Sequence, residues 1–383
     1  MKITFSELKS RVLELAIICL PLESFGFVSG EFVFNPSLFL IIIFTFLNLF
    51  SSKFNYKTFL LILIFISYLL FISIIKNNDF NFIFSYLLFV INFSFLIFDS
   101  SKLKLNLFRS IKISLLVSVL IVGLDIIIPD FNTYFSSFQY PRRVGQNVFQ
   151  IIPFARFTSG FSESSNYGSY LFLMYFLYNY QSIKSKSFEI LIFCLVILSQ
   201  SFTAYFLFFV FLLVTKFQFN KKSSYYYLIP VLSLLLYSSY DRIVYIISSF
   251  NDLSYYTSFG RRFLSIYLIF SDFLDYGSFL TGYGFENQQI QLIDKFKYWN
   301  IDLTEGWIHN ILINLLLVGG IISFFFLFLI IQHISNRNTK FIFINIFLIV
   351  LISFVSGRLS YWFYWLPLFL TPYFIYNENK VSK

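Results

Sequence analysis

Apolar runs of about 18 residues or more recur along almost the whole chain, and they decide most of what it can fold into. A backbone in hydrocarbon must satisfy its own N–H and C=O groups, so such runs become helices or closed barrels. Barrel strands would alternate apolar and polar residues over segments of about ten, and no such alternation is present. The reading is an all-α polytopic membrane protein. Charge agrees, because only 12% of residues are charged, where a soluble domain has about a quarter.

Twelve spans follow from the runs: 11–29, 36–50, 57–75, 80–98, 108–128, 165–181, 187–199, 202–217, 224–240, 308–331, 341–356 and 360–376. Glu14, Pro21 and Glu23 interrupt the first, and no small-residue cleavage site follows it, so it does not read as a cleaved leader. Ser199-Gln200-Ser201 separates the seventh and eighth, which read as a re-entrant pair or as two tightly linked helices. No internal repeat is visible, and residues 1–383 read as one integral membrane domain.

Basic residues set the orientation. With the N-terminus in the cytoplasm, cytoplasmic segments carry 18 of the 28 Lys and Arg, and the short external loops carry only Lys76 and Arg358. Both termini are then cytoplasmic. The remaining eight lie in two long external loops, 129–164 and 241–308. The net charge of +9 is thus spread over short loops, and no nucleic-acid partner is expected. Cys19 and Cys194 both lie in apolar runs, against a disulfide framework or a zinc site.

The two long loops hold the polar chemistry. Residues 241–310 contain eight of the 19 acidic residues and His309, one of two histidines. Within them, residues 261–274 (RRFLSIYLIFSDFL) have apolar residues at helical spacing, which predicts an amphipathic helix near the membrane surface. Positive-inside sorting depletes external arginines, so Arg142, Arg143, Arg156, Arg261 and Arg262 call for a reason. One is a phosphate-rich group, whose oxygens a guanidinium matches bidentately. The other is pairing with Asp130, Glu163, Asp252 or Asp272, or with lipid headgroups.

His309 lies at the very start of the tenth span. An imidazole there can act as a general base near neutral pH, or simply wet a helix end. Asn310 and the first free helical N–H groups would face an anion at the same place. Glu163 and Glu305 could orient the histidine, bind a sugar hydroxyl or act as base; the other reading, the stronger on sequence, is a plain salt bridge. Gly319-Gly320 would permit close helix packing. No P-loop, HExxH or paired acidic metal motif occurs, so neither metal nor cofactor is expected.

Three stretches together resemble the bacterial O-antigen polymerase and ligase family. RFTSGFSESSNYGSYL (Arg156–Leu171) is similar to its first external-loop signature, in which an arginine is followed by a Gly-Phe turn and an element opening the next helix. The family's proline in that element is absent here, where Glu163-Ser164-Ser165-Asn166 stands. GRRFLSIYLIFSDF followed by LTGYGFEN resembles the family's arginine, amphipathic helix and Gly-x-Gly turn. His309-Asn310 followed by Gly320 resembles its histidine-asparagine signature, with Ser323 where a further glycine is expected. The likeness covers about Arg142 to Phe328, and the N-terminal spans match in topology alone.

The resemblance implies a GT-C-like helical architecture and metal-independent glycan transfer at the external face of the bacterial inner membrane. The donor would be an undecaprenyl-pyrophosphate-linked oligosaccharide. Arg156 and Arg261 or Arg262 would hold the pyrophosphate, and His309 would activate the acceptor hydroxyl or aid positioning. These groups are expected to converge at the outer mouth of a helical cavity. Membrane lipids, a chain-length regulator and a flippase are the implied partners. The Glu-x-Ser form of the first motif resembles polymerases more than ligases, which move the finished glycan to lipid A-core. A flippase or other transporter would carry charged residues inside its spans, and these spans are nearly charge-free.

Overall fold

The computed structural model describes residues 4–23, 25, 27–29, 32–50, 56–76, 82–128, 161, 164–181, 185–199, 201–219, 233, 279–285, 310–353 and 362–381. Among them are eleven α-helices: α1 (Phe5–Ile18), α2 (Pro36–Leu49), α3 (Tyr56–Lys76), α4 (Phe82–Ser94), α5 (Leu107–Ile127), α6 (Ser164–Asn179), α7 (Lys186–Ser199), α8 (Phe202–Phe219), α9 (Ile311–Ile334), α10 (Thr339–Ser353) and α11 (Trp362–Val381). A three-residue antiparallel hairpin, β1 (Phe27–Ser29) and β2 (Phe32–Phe34), pairs Val28 with Val33. Helices α2, α4 and α6 contain no charged residue, whereas α1 contains Glu7, Lys9, Arg11 and Glu14. The helices at Tyr56–Lys76, Leu107–Leu124 and Ile311–Ile334 are long and apolar enough to cross a membrane. Their outward surfaces carry large apolar side chains, such as Phe71, Leu120 and Phe325.

The first expected span, 11–29, is not one helix. α1 ends at Ile18, a 3-10 turn covers Leu20–Leu22, and the hairpin follows. Pro21 is the cause. It has no N–H to give the Ile17 carbonyl, its i−4 partner. The Ser114 hydroxyl on α5 donates to that carbonyl instead (2.8 Å), and Ser37 on α2 donates to the Ala16 carbonyl (3.0 Å). At the other end, Thr4 and Glu7 form a capping box: Glu7 Oε2 accepts the Thr4 N–H, and Thr4 Oγ1 accepts the Glu7 N–H. Glu14 accepts the backbone N–H of Asn106, just ahead of α5. The expected span 224–240 lies outside the described residues except for Ser233.

The chain divides into two compact units. The first comprises Met1–Ile43 and Lys104–Asn251. In it α1 packs on α5, and α6 packs on α7 and α8. A Cβ on Gly168 of α6 would lie 2.6 Å from the Ala204 Cβ of α8, so small residues let these two helices approach closely. Buried hydroxyls are paired: Tyr170 with Ser114 and Tyr167 with Ser118, each at 2.8 Å. Phe161 stacks against Tyr167 and packs on Tyr170, just ahead of α6.

The second unit comprises Phe44–Leu103 and Asp252–Lys383. α9 packs along α3 and also touches α10 and α11. Its core is largely aromatic, with Phe65, Phe89, Phe93 and Trp365 in contact. One polar cluster crosses it, in which Asn345 Nδ2 donates to Thr371 Oγ1 (3.0 Å) and lies 3.2 Å from Ser335 Oγ. In apolar surroundings such polar side chains must find each other or the backbone.

Candidate functional site: a broken helix and its turn

α9 opens at Asn310, which sits in an extended conformation as the N-cap. Its side-chain oxygen accepts the Ile313 N–H (3.0 Å), and its carbonyl accepts the Asn314 N–H (2.9 Å). Asparagine is among the best N-caps because it satisfies a donor that the first helical turn leaves open. Asn310 is buried. Of the residues expected to hold a pyrophosphate, it alone is described, and its oxygen caps its own helix.

Ten residues on, the helix breaks. Gly320 has φ 62° and ψ −165°, which cannot continue an i to i−4 ladder. In an unbroken helix the Ile321 and Ile322 N–H groups would reach the Leu317 and Val318 carbonyls. Here they donate to Phe279 (2.9 Å) and, more weakly, Leu280 (3.5 Å). The Leu317 and Val318 carbonyls accept from Tyr283 (2.6 Å) and Gly284 (2.9 Å). The turn Phe279–Phe285 thus stands in for a missing stretch of ladder. Non-helical backbone beside an apolar helix is tolerated where protein covers it and satisfies its polar groups.

Three hydroxyls complete the joint. The Tyr68 hydroxyl on α3 donates to the Gly319 carbonyl (2.8 Å), with the Thr281 carbonyl 3.3 Å from the same oxygen. Ser323 lies 2.6 Å from the Gly320 carbonyl and 3.0 Å from that of Leu315. Ser73 accepts the Phe285 N–H (3.0 Å) and donates to the Leu69 carbonyl (2.8 Å). Phe285 is buried against Tyr86 and Phe89.

Glycine is required on both sides of this contact. Gly282 (φ +75°) and Gly320 (φ +62°) occupy the left-handed region. A Cβ on Gly282 would lie 2.6 Å from the Gly320 nitrogen. Two glycine motifs separate in sequence, Gly282-Tyr283-Gly284 and Gly319-Gly320, therefore form one structural feature. The sequence reading assigned the second pair to helix packing. Gly319 does allow α3 to approach, since its Cβ would lie 2.6 Å from Leu69 Cδ2. Gly320 instead ends one helical segment and starts another.

Segments 61–75, 279–285 and 310–323 contain no charged residue. The joint consists of neutral hydrogen bonds and packing, so its chemical capability is to fix backbone positions. Among the described residues no group of His, Cys, Asp and Glu could hold a metal ion. His333 lies in the last turn of α9. Near that end a cavity of about 110 Å³ is lined by Thr58, Asp99, Ser101 and Asn336, among others.

Arg142, Arg143, Arg156, Glu163, Arg261, Arg262, Glu305 and His309 lie outside the described residues, as do the amphipathic segment 261–274 and the convergence expected between these groups. Three features of the motifs are described. α6 opens at Ser164, immediately after Glu163, α9 opens immediately after His309, and the Gly-x-Gly turn meets Gly320. Tyr68 and Ser73 were not singled out from sequence. The available signal was weak: two hydroxyl-bearing residues in an apolar run, where any polar atom needs a partner.

No protein-family model matches the chain, and no curated protein matches it.

Proposed function

We propose that this chain is a metal-independent glycosyltransferase that polymerises polyprenyl-pyrophosphate-linked oligosaccharide repeat units. It would act at the external face of a bacterial inner membrane, on a twelve-span frame with both termini in the cytoplasm. The observation that carries the reading is the docking of Gly282-Tyr283-Gly284 on Gly320. These are elements of two of the three stretches on which the family resemblance rests. Their meeting ties the segment after Arg261-Arg262 to the helix that begins after His309.

In this reading the acceptor hydroxyl attacks the anomeric carbon of the donor glycan. The bond from that carbon to the pyrophosphate oxygen breaks, and the hydroxyl proton passes to His309. The departing carrier pyrophosphate gains negative charge, and fixed guanidinium groups at Arg156 and Arg261 or Arg262 stabilise it. Glu163 or Glu305 would orient the histidine or a sugar hydroxyl.

Lipid-glycan analysis of a strain lacking this chain tests the assignment. A single repeat unit on lipid A-core marks a lost polymerase. Polymer still on its carrier would mark a lost ligase, and an unchanged glycan profile rejects glycan transfer.

A further inference from the structure

We infer that Tyr68 is a positioning residue for the candidate transfer site, acting through the broken helix; this rests on the glycosyl-transfer reading above. The Tyr68 hydroxyl meets carbonyls on both sides of the joint, Gly319 at the end of the outer half of α9 and Thr281 in the turn. It is anchored to α3, which runs unbroken from Tyr56 to Lys76. The turn begins seventeen residues after Arg262, and the outer half of α9 begins two residues after His309. One hydroxyl therefore ties both segments to the same helix.

Leverage makes the contact matter. The outer half of α9, from Ile311 to Gly319, is about 14 Å long at 1.5 Å per residue. A tilt of about 10° at Gly320 would move its tip by roughly 2 Å. Misplacement of about 1 Å can cost on the order of a hundredfold in rate. The backbone bonds of the turn resist sliding along α9, and the Tyr68 hydroxyl resists movement of the joint away from α3. The group at stake is the hydroxyl: the Tyr68 ring also packs on Phe326, and phenylalanine would keep that contact.

The test compares Tyr68→Phe with Tyr86→Phe. Tyr86 belongs to the same unit, and its hydroxyl donates to the Ile66 carbonyl (3.2 Å) rather than to the turn. Purified full-length protein is assayed with a synthetic polyprenyl-pyrophosphate-linked repeat unit, with rates normalised to monodisperse protein. Tyr68→Phe is expected to lower kcat about tenfold with KM unchanged, because orientation rather than binding is lost. Tyr86→Phe should keep the wild-type kcat. A role in folding alone would reduce the yield of Tyr68→Phe and leave kcat per folded molecule as in wild type, which overturns the inference.

A second measurement is independent of activity. Tyr283→Cys is placed in a chain whose Cys19 and Cys194 are replaced by alanine, and its reaction with a water-soluble maleimide is timed. Position 283 is buried, so labelling should be slow with Tyr68 and faster with Tyr68→Phe. Equal labelling rates overturn the positioning role whatever the activity. A wild-type protein inactive on the lipid-linked substrate rejects the transfer reading, and with it a role for Tyr68 in transfer; the labelling rates then report only whether Tyr68 seats the turn.

Discussion

Gly320 and Leu280 touch backbone to backbone: a Cβ on Gly320 would lie 2.2 Å from the Leu280 carbonyl oxygen. Gly320→Ala must therefore expel the turn or deform the helix, and it also forces a β-carbon into the left-handed region. Backbone strain of about 1–3 kcal/mol adds to the loss of hydrogen bonds worth about 1 kcal/mol each. Thermal unfolding in detergent should show a loss of roughly 3 kcal/mol or more. Gly123→Ala in α5 is the control, since nothing lies within 4 Å of its added Cβ. It should be neutral or stabilising by up to about 1 kcal/mol. Equal stability of the two variants would show that the turn does not depend on glycine at position 320.

Ser114 and Tyr170 give an asymmetric pair. Ser114 gives its proton to the Ile17 carbonyl and so receives one from Tyr170. Tyr170→Phe deletes one bond and leaves Ser114 engaged, which should cost about 1 kcal/mol. Ser114→Ala strands the buried Tyr170 hydroxyl and takes a donor from the Ile17 carbonyl, at about 2–3 kcal/mol. Chemical denaturation of the two variants should rank them in that order, and the reverse ranking would contradict the proton assignment.

Asn310 separates capping from substrate binding. Asn310→Asp keeps an oxygen for the Ile313 N–H, whereas Asn310→Ala loses it and should cost about 1 kcal/mol. If capping is the whole role, activity per folded molecule should be unchanged in both. If Asn310 also faces the pyrophosphate, aspartate should inhibit by like-charge repulsion while preserving stability.

The arginines and the histidine carry the chemical proposal. Arg261→Ala, Arg262→Ala and His309→Ala should each abolish polymer in cells while leaving membrane insertion intact. Lysine should rescue an essential arginine poorly, because it cannot hold two phosphate oxygens in a planar fork. Full-length polymer from all three alanine variants would dismiss these residues from the site.

Glu7 should titrate below an ordinary glutamate, chiefly because its carboxylate accepts the Thr4 N–H, with further help from the Thr4 hydroxyl and Lys104. A depressed folded pKa stabilises the helix start above the unfolded carboxylate value, about 4.3. The contribution is lost as pH falls through the folded value. A carboxyl titration by NMR should show the depression, and Thr4→Val should weaken it. No change with Thr4→Val would exclude the Thr4 hydroxyl as a contributor and leave the Thr4 N–H as the cause.

The helices could be read from the sequence because each is written locally. Expected spans 57–75, 108–128 and 187–199 meet helices Tyr56–Lys76, Leu107–Ile127 and Lys186–Ser199, since an apolar run of that length has few other ways to satisfy its backbone. The first span was misjudged in extent. The effect of Pro21 on the ladder is local, but the serines that satisfy the freed carbonyls lie on α2 and α5. Of the candidate site, the start of α9 was legible to within a few residues, expected at 308 and found after Asn310, as was the presence of a Gly-x-Gly turn.

By itself the sequence determined the helical class, most helix positions and the polar stretches set apart from them, because hydropathy and chain length act within single segments. It did not determine that α9 breaks at Gly320. A Gly-Gly pair fits close packing and a break equally well, and the choice depends on whether another backbone is available to take up the ladder. Phe279–Phe285 supplies that backbone from some forty residues earlier, and Tyr68 supplies a hydroxyl from about 250 residues earlier. Such partners are brought together only by folding, because hydrogen-bond satisfaction in an apolar interior is a property of the whole packed unit.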